Sequence, residues 1–206
     1  MKYTDELCER YPALAGVKNE VEAAINTIIS AYRLGGKILL CGNGGSAADC
    51  EHISGEFLKG FIMKREPVGE ELAALSSELK EDAIKLQRGV PAIPLSSLSA
   101  SLTAFMNDVD PSLVYAQLVY ALGKSGDVLI ALSTSGNSKN IVSAVKCAKA
   151  LGIKTVALTG KCGGVLASLA DLTVKVPENE TYKVQEYHLP VYHAICADVE
   201  DILFGE

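Results

Sequence analysis

Aromatic side chains make up only 6% of this 206-residue chain, and no hydrophobic run approaches the length of a membrane span. A bilayer-crossing helix needs about 20 consecutive apolar residues, so that class is excluded. The opening residues Met1-Lys2-Tyr3-Thr4-Asp5-Glu6 are polar and lack the apolar stretch of a signal peptide. Excess positive charge is missing too: the formal net charge is −6, which argues against a generic nucleic-acid surface. The six cysteines are scattered at 8, 41, 50, 147, 162 and 196 with no Cys-x-x-Cys pair. Several fall in apolar segments, so they read as buried, reduced thiols of a cytoplasmic protein. A Gly-x-x-x-x-Gly-Lys-Ser/Thr loop is absent, and so are internal repeats, linkers and low-complexity tracts. What is present is a chain that is 49% hydrophobic and long enough for one domain with a real core.

Helix and strand patterns alternate along it. Val21, Ala24, Ile25, Ile28, Ile29 and Tyr32 have helical spacing within 17–33, and the pattern stops at Gly35-Gly36. Apolar runs predict strands at 37–41, 92–95, 127–132, 154–158 and 172–176, the second weakened by its prolines. Helices are expected at 46–59, 97–106, 112–122 and 137–151. A long last helix is expected over 181–204, with Pro190 inside it as a kink. Residues 60–90 stand apart as a charged excursion holding a short amphipathic helix marked by Leu75, Leu79, Ala83 and Leu86. Such alternation predicts an α/β fold with a parallel sheet covered by helices on both faces.

Ligands of such sheets bind outside the carboxyl ends of the strands. The first strand runs into Gly42-Asn43-Gly44-Gly45-Ser46, and the helix behind this loop carries His52 and Glu56. The glycines allow close backbone approach, Ser46 is placed to cap the helix, and the free N–H groups and positive dipole end suit a phosphate. His52 and Glu56, four apart, differ by about 40° around the helix and share a face. A second strand end reads Ser133-Thr134-Ser135-Gly136-Asn137-Ser138, a neutral, donor-rich cradle for a phosphate monoester. One such turn alone is an ordinary capped turn; two on one sheet point to a site. Gly42-x-Gly44-x-x-Ala47 also fits a relaxed dinucleotide fingerprint. The following strand ends in Leu95-Ser96-Ser97 without the carboxylate that would hold a ribose, so no nucleotide cofactor is expected.

The last helix adds Gln185 and His193, eight apart and on one broad face. All three histidines of the chain (52, 188 and 193) lie in these two helical segments. His52, Glu56, Gln185 and His193 together form an N/O donor set of a kind that suits zinc. The alternative for each histidine is a satisfied core or surface residue.

Taken together, the glycine loop with His52 and Glu56, the serine loop, and Gln185 with His193 resemble the sugar isomerase (SIS) domain family. The His-x-x-x-Glu and Gln-x7-His pair points to its heptose-phosphate branch. The resemblance covers most of the chain except roughly residues 60–90. It implies a flavodoxin-like three-layer αβα sandwich, a single SIS domain over 1–206, and a homotetramer with sites between subunits. It implies conversion of sedoheptulose 7-phosphate to D-glycero-D-manno-heptose 7-phosphate through an enediol. By position, Ser133, Thr134, Ser135 and Ser138 would hold the phosphate. Asn43, Gly44, Gly45, Ser46, Asn107, Asp108, Glu56 and Gln185 would line the sugar site. His52, Glu56, Gln185 and His193 would be the zinc ligands, with Glu56 and His193 as the acid–base pair. The same family also implies two alternatives: action on a hexose phosphate, and a non-catalytic domain that binds a sugar phosphate or a protein partner.

Overall fold

The computed structural model describes residues 1–205, so the last residue of the expected 1–206 unit lies outside the described residues. Five strands, β1 (Ile38–Cys41), β2 (Ala92–Pro94), β3 (Val128–Leu132), β4 (Lys154–Thr159) and β5 (Leu172–Lys175), form one all-parallel sheet in the order β2-β1-β3-β4-β5. The central strands are buried along their whole length, which is why they read as continuous apolar runs rather than alternating ones. Their side chains nevertheless divide by parity. Ile38, Leu40, Val128, Ile130, Leu132, Val156 and Leu158 join one core cluster, whereas Leu39, Cys41, Leu129, Ala131 and Ala157 join the other.

The first cluster is closed by helices α1 (Lys2–Arg10), α2 (Lys18–Arg33), α3 (Gly45–Leu58) and α9 (Thr181–Phe204). The second is closed chiefly by α6 (Val114–Leu122) and α7 (Lys139–Ala150). The expected αβα sandwich is therefore the architecture observed. β2 is an edge strand, where Pro94 needs no ladder donor on its open side. α2 ends where Gly35 turns to φ +74°, and the N–H groups of Gly35 and Gly36 bond back to Tyr32 and Ala31.

The sequence reading missed two helices and overextended a third. Residues 2–10 form α1, although only Thr4 and Leu7 are buried on it. Its amino end is held from outside: the Asp198 carboxylate of α9 accepts from the Thr4 hydroxyl at 2.6 Å and from the backbone N–H groups of Tyr3 and Thr4. The helix of the 60–90 excursion, α4 (Gly69–Leu79), stops before Ala83 and Leu86. Lys80 turns to φ +53° there, and a 3-10 segment follows over Lys80–Lys85. A one-turn helix, α8 (Leu166–Leu169), too short to show a period, lies between β4 and β5. The remaining helix, α5 (Ser99–Asp108), has no buried residue. None of the six cysteines is paired; Cys41, Cys50 and Cys196 are buried and Cys162 is exposed. No helix among the described residues is long and apolar enough to cross a membrane.

α9 runs through Pro190 as one 24-residue helix and carries the fully buried His188. Val184, one turn earlier on the same face, abuts Gly160 just after β4. Neither ring nitrogen of His188 makes a well-formed hydrogen bond, so burial pushes its pKa down to about 4, opposed only in part by the Thr159 backbone. The unfolded chain then binds a proton on this ring near pH 6.5 that the folded chain refuses until about pH 4. Stability is lost as pH falls through that window. From pH 7 to pH 5 this one group should cost about 2 kcal/mol. Urea unfolding of wild type and His188→Gln at both pH values should show the variant losing less stability on acidification by about that amount. Equal losses would contradict the assignment.

Candidate active site

β1 and β3 are neighbours, and the chain leaves β1 toward β2 on one side and returns to β3 on the other. The crevice outside their carboxyl ends is thus the topological switch point of the sheet. Both motif loops lie there, Gly42–Gly45 after β1 and Ser133–Ser138 after β3. They are joined: the side-chain amides of Asn43 and Asn140 exchange two hydrogen bonds of 2.9 Å. Tyr115 of α6 donates to the Gly42 carbonyl at 2.6 Å, pinning the first glycine from below. Burial, more than any neighbouring charge, pushes this phenol up to about 12, so it stays a donor.

Ser46 does not cap α3. Gly44, at φ +55°, occupies the cap position, and the buried Ser46 lies inside the first turn with its N–H on the Asn43 carbonyl. The tight glycine turn brings the helix start two residues earlier than a Ser46 cap would. In the second loop Ser133 and Ser138 hydroxyls pair at 3.1 Å, and Ser135 Oγ accepts from the Asn137 N–H. Gly136, at φ +66°, is pressed against the backbone of Gly163, and Asn137 Oδ1 accepts from Val165 N–H. Neighbouring backbone thus holds the serine loop in place. Thr134 contributes its carbonyl, which accepts from Gly160.

His52 and Glu56 share one face of α3, as their spacing requires: His52 Nε2 lies 3.2 Å from Glu56 Oε1. α9 packs across that face and brings His193 Nε2 to 3.3 Å from His52 Nε2. Glu56 Oε2 is buried without a hydrogen bond, and the Lys59 ammonium stands 3.5 Å from it. Burial first, and then the adjacent His52, lower the His193 pKa, so its ring holds a free electron pair at neutral pH. Phe61 tilts against the His193 ring at 5.4 Å. A cleft of about 380 Å³ between α1, Phe61-Ile62 and α9 opens onto His193. Gln185, two turns earlier on α9, lies against Gly45 and so ties this group to the glycine loop.

Two of the expected site residues are not brought in. Asn107 and Asp108 sit exposed at the end of α5, hydrogen-bonded to each other at 2.9 Å and to none of the residues above. Conversely, Asn140, Tyr115, Asp49 and Tyr192 belong to the site's framework and carried no sequence signal beyond proximity to a motif.

Among the described residues, no group of three or more His, Cys, Asp and Glu side chains stands as a ready-made metal cage. The donor set is nonetheless suited to a borderline-soft divalent ion: two imidazoles, a carboxylate and, nearby, a carboxamide. Ligands bonded to a tetrahedral zinc at about 2.0–2.1 Å lie about 3.3–3.4 Å from one another. The His52–Glu56 and His52–His193 separations of 3.2 and 3.3 Å are close to that spacing.

A family model of the SIS domain matches residues 2–160. Phosphoheptose isomerase of Clostridium acetobutylicum is 40% identical over 187 residues, covering 91% of this chain and 84% of that one. Among solved structures, a phosphoheptose isomerase of Neisseria gonorrhoeae superposes with a TM-score of 0.72 at 32% identity, over 95% of this chain and 91% of that one. Another from Francisella tularensis gives 0.76 at 28% identity, over 97% and 95%.

Gly45 links the two halves of the site, and this link is testable. A Cβ at Gly45 would fall 2.6 Å from Gln185 Nε2, the free end of a flexible side chain, so alanine displaces the amide without disturbing backbone. Gly45→Ala should leave unfolding free energy within about 1 kcal/mol of wild type. It should weaken calorimetric binding of a phosphorylated sugar by roughly 2- to 10-fold, the worth of one hydrogen bond. Unchanged affinity would place Gln185 outside the binding site.

Proposed function

The chain belongs to the phosphoheptose isomerase family of SIS-domain proteins, and on that premise we propose that it interconverts sedoheptulose 7-phosphate and D-glycero-D-manno-heptose 7-phosphate. The observation that carries this reading is the convergence of Glu56, His52 and His193 within hydrogen-bond distance, beside two donor-rich loops at the switch point of the sheet. The serine loop, with Ser133, Thr134, Ser135 and Ser138 and the amino end of α7, takes the phosphate. Asn43, Gly44, Gly45 and Gln185 face the sugar chain.

Aldose–ketose exchange moves one proton between C1 and C2 and one between the two oxygens. The Glu56 carboxylate takes the C1 proton of the ketose, giving an enediol, and returns it to C2 of the aldose. His193, neutral at pH 7 through its lowered pKa, passes the hydroxyl proton from O1 to O2. The unbonded Glu56 oxygen, with the Lys59 ammonium 3.5 Å away, leaves this carboxylate open to substrate. His52, Glu56, Gln185 and His193 would hold a zinc ion, which when bound polarises the substrate carbonyl and stabilises enediolate charge.

The family also supports a homotetramer with sites between subunits. That assembly accounts for α5, a helix without a buried residue, and for the exposure of Val109 (65%) just beyond it. It would bring Asn107 and Asp108 to a neighbouring subunit's sugar site. A reducing cytoplasm suits the six free thiols.

Glu56→Gln preserves shape and removes the base. Turnover of sedoheptulose 7-phosphate should fall by on the order of 10² to 10⁴ while sugar-phosphate binding survives. Near-normal kcat in this variant would sink the assignment and favour a binding domain without catalysis.

A further inference from the structure

Two side chains that no motif assigns a role connect to the catalytic group through hydrogen bonds. The Tyr192 hydroxyl donates to Asp49 Oδ1 at 3.2 Å and lies 3.0 Å from His52 Nδ1. Asp49 and His52 are one turn apart on α3, and Tyr192 precedes His193 on α9. We infer that Asp49 and Tyr192 are positioning residues that fix His52 in its Nδ1–H tautomer and aim the Nε2 electron pair at Glu56 and His193. The inference rests on the proposed reading of that site.

The number of protons at this junction decides the tautomer. A phenol has one, and here two acceptors compete for it. Asp49 Oδ2 is buried and has no hydrogen-bond partner, so the Tyr192 proton is the hydrogen bond that keeps this carboxylate from being stranded. Once it is given to Asp49, the Tyr192 oxygen can only accept, and the donor facing it must be His52 Nδ1–H. The hydroxyl has little freedom to turn elsewhere. Tyr192 is 2% exposed, and its ring meets the His52 ring edge-on at 5.4 Å. His52 Nε2 is then bare, 3.2 Å from Glu56 Oε1 and 3.3 Å from His193 Nε2. A bare nitrogen there accepts from a His193 N–H or binds a divalent cation; it cannot donate to Glu56. Metal-ligating histidines are oriented by carboxylates in the same manner, here with a tyrosine interposed.

The test is proton–nitrogen correlation NMR on metal-free protein labelled with 15N-histidine, which separates the two neutral tautomers. Wild type should show His52 as Nδ1–H. Tyr192→Phe keeps the ring and removes the hydroxyl, and should convert His52 to Nε2–H or a mixture. Zinc affinity, read by competition with a chromogenic chelator, should fall by about 10- to 100-fold in this variant. Thermal unfolding serves as the control for fold. Nε2–H in wild type overturns the inference without any variant. So does a folded Tyr192→Phe protein with unchanged tautomer and zinc affinity. If wild type has the expected tautomer yet does not isomerise sedoheptulose 7-phosphate, the activity reading fails and the positioning role stands. If it isomerises and Tyr192→Phe leaves the tautomer unmoved, the positioning role alone fails.

Discussion

The proposed acid–base groups sit on two helices, and what locks those helices together is a buried ion pair outside the site. Glu200, fully buried on α9, accepts hydrogen bonds from the backbone N–H groups of Phe61, Ile62 and Met63 and from Arg65 Nε at 2.6 Å. Arg65, equally buried, spends its other nitrogens on the carbonyls of Phe57 and Glu56, closing the carboxyl end of α3. Burial by itself would push the Glu200 carboxyl up, but the Phe61 and Ile62 amides and the Arg65 guanidinium outweigh it and hold it below its usual range. Every charge here is answered by a hydrogen bond, the condition under which a buried pair is tolerated. Removing one partner of such a pair typically costs about 3–5 kcal/mol. Because Arg65 grips the carbonyl of Glu56 itself, this pair also sets where the Glu56 carboxylate stands relative to His193.

This arrangement gives the 60–90 excursion a physical role at its start. Residues 61–65 form the strap through which α9 holds α3, and Phe61 also walls one side of His193. Beyond it, α4 has no buried residue and contributes little to the core. The other half of the site is built differently. There the loops are held by contacts with α7 and with each other, Asn43 with Asn140 and Gly136 against Gly163. A neutral cradle of hydroxyls and helix N–H groups can grip a phosphate without placing a further cation beside the proposed acid–base group.

The strands and the motif loops were legible because their signals are local. Ile38–Cys41 and Val128–Leu132 are short apolar runs followed at once by loops rich in glycine or serine, and His52 and Glu56 declare their shared face by spacing. What escaped depends on partners far along the chain. α1 is mostly polar, buries only Thr4 and Leu7, and has its amino end held by Asp198, some 194 residues away. Tyr115 on Gly42, Tyr192 on Asp49 and Arg65 on Glu200 each read as ordinary residues until tertiary contact gives them a role. Ser46 misled because a serine before a helix normally caps it, whereas the positive φ of Gly44 starts the helix earlier. Asn107 and Asp108, which the family resemblance places at the sugar site, stand apart from the other residues within one chain.

Isomerisation through an enediol requires that a carbon-bound proton be exchanged at the sugar, whichever way the equilibrium lies. The most direct measurement is incubation of the wild-type protein with sedoheptulose 7-phosphate in D₂O, followed by NMR and mass spectrometry of the sugar phosphates. The account predicts an aldoheptose 7-phosphate carrying deuterium at C2. A sugar recovered without aldose and without deuterium at C1 or C2, from protein that still binds it, would contradict the account.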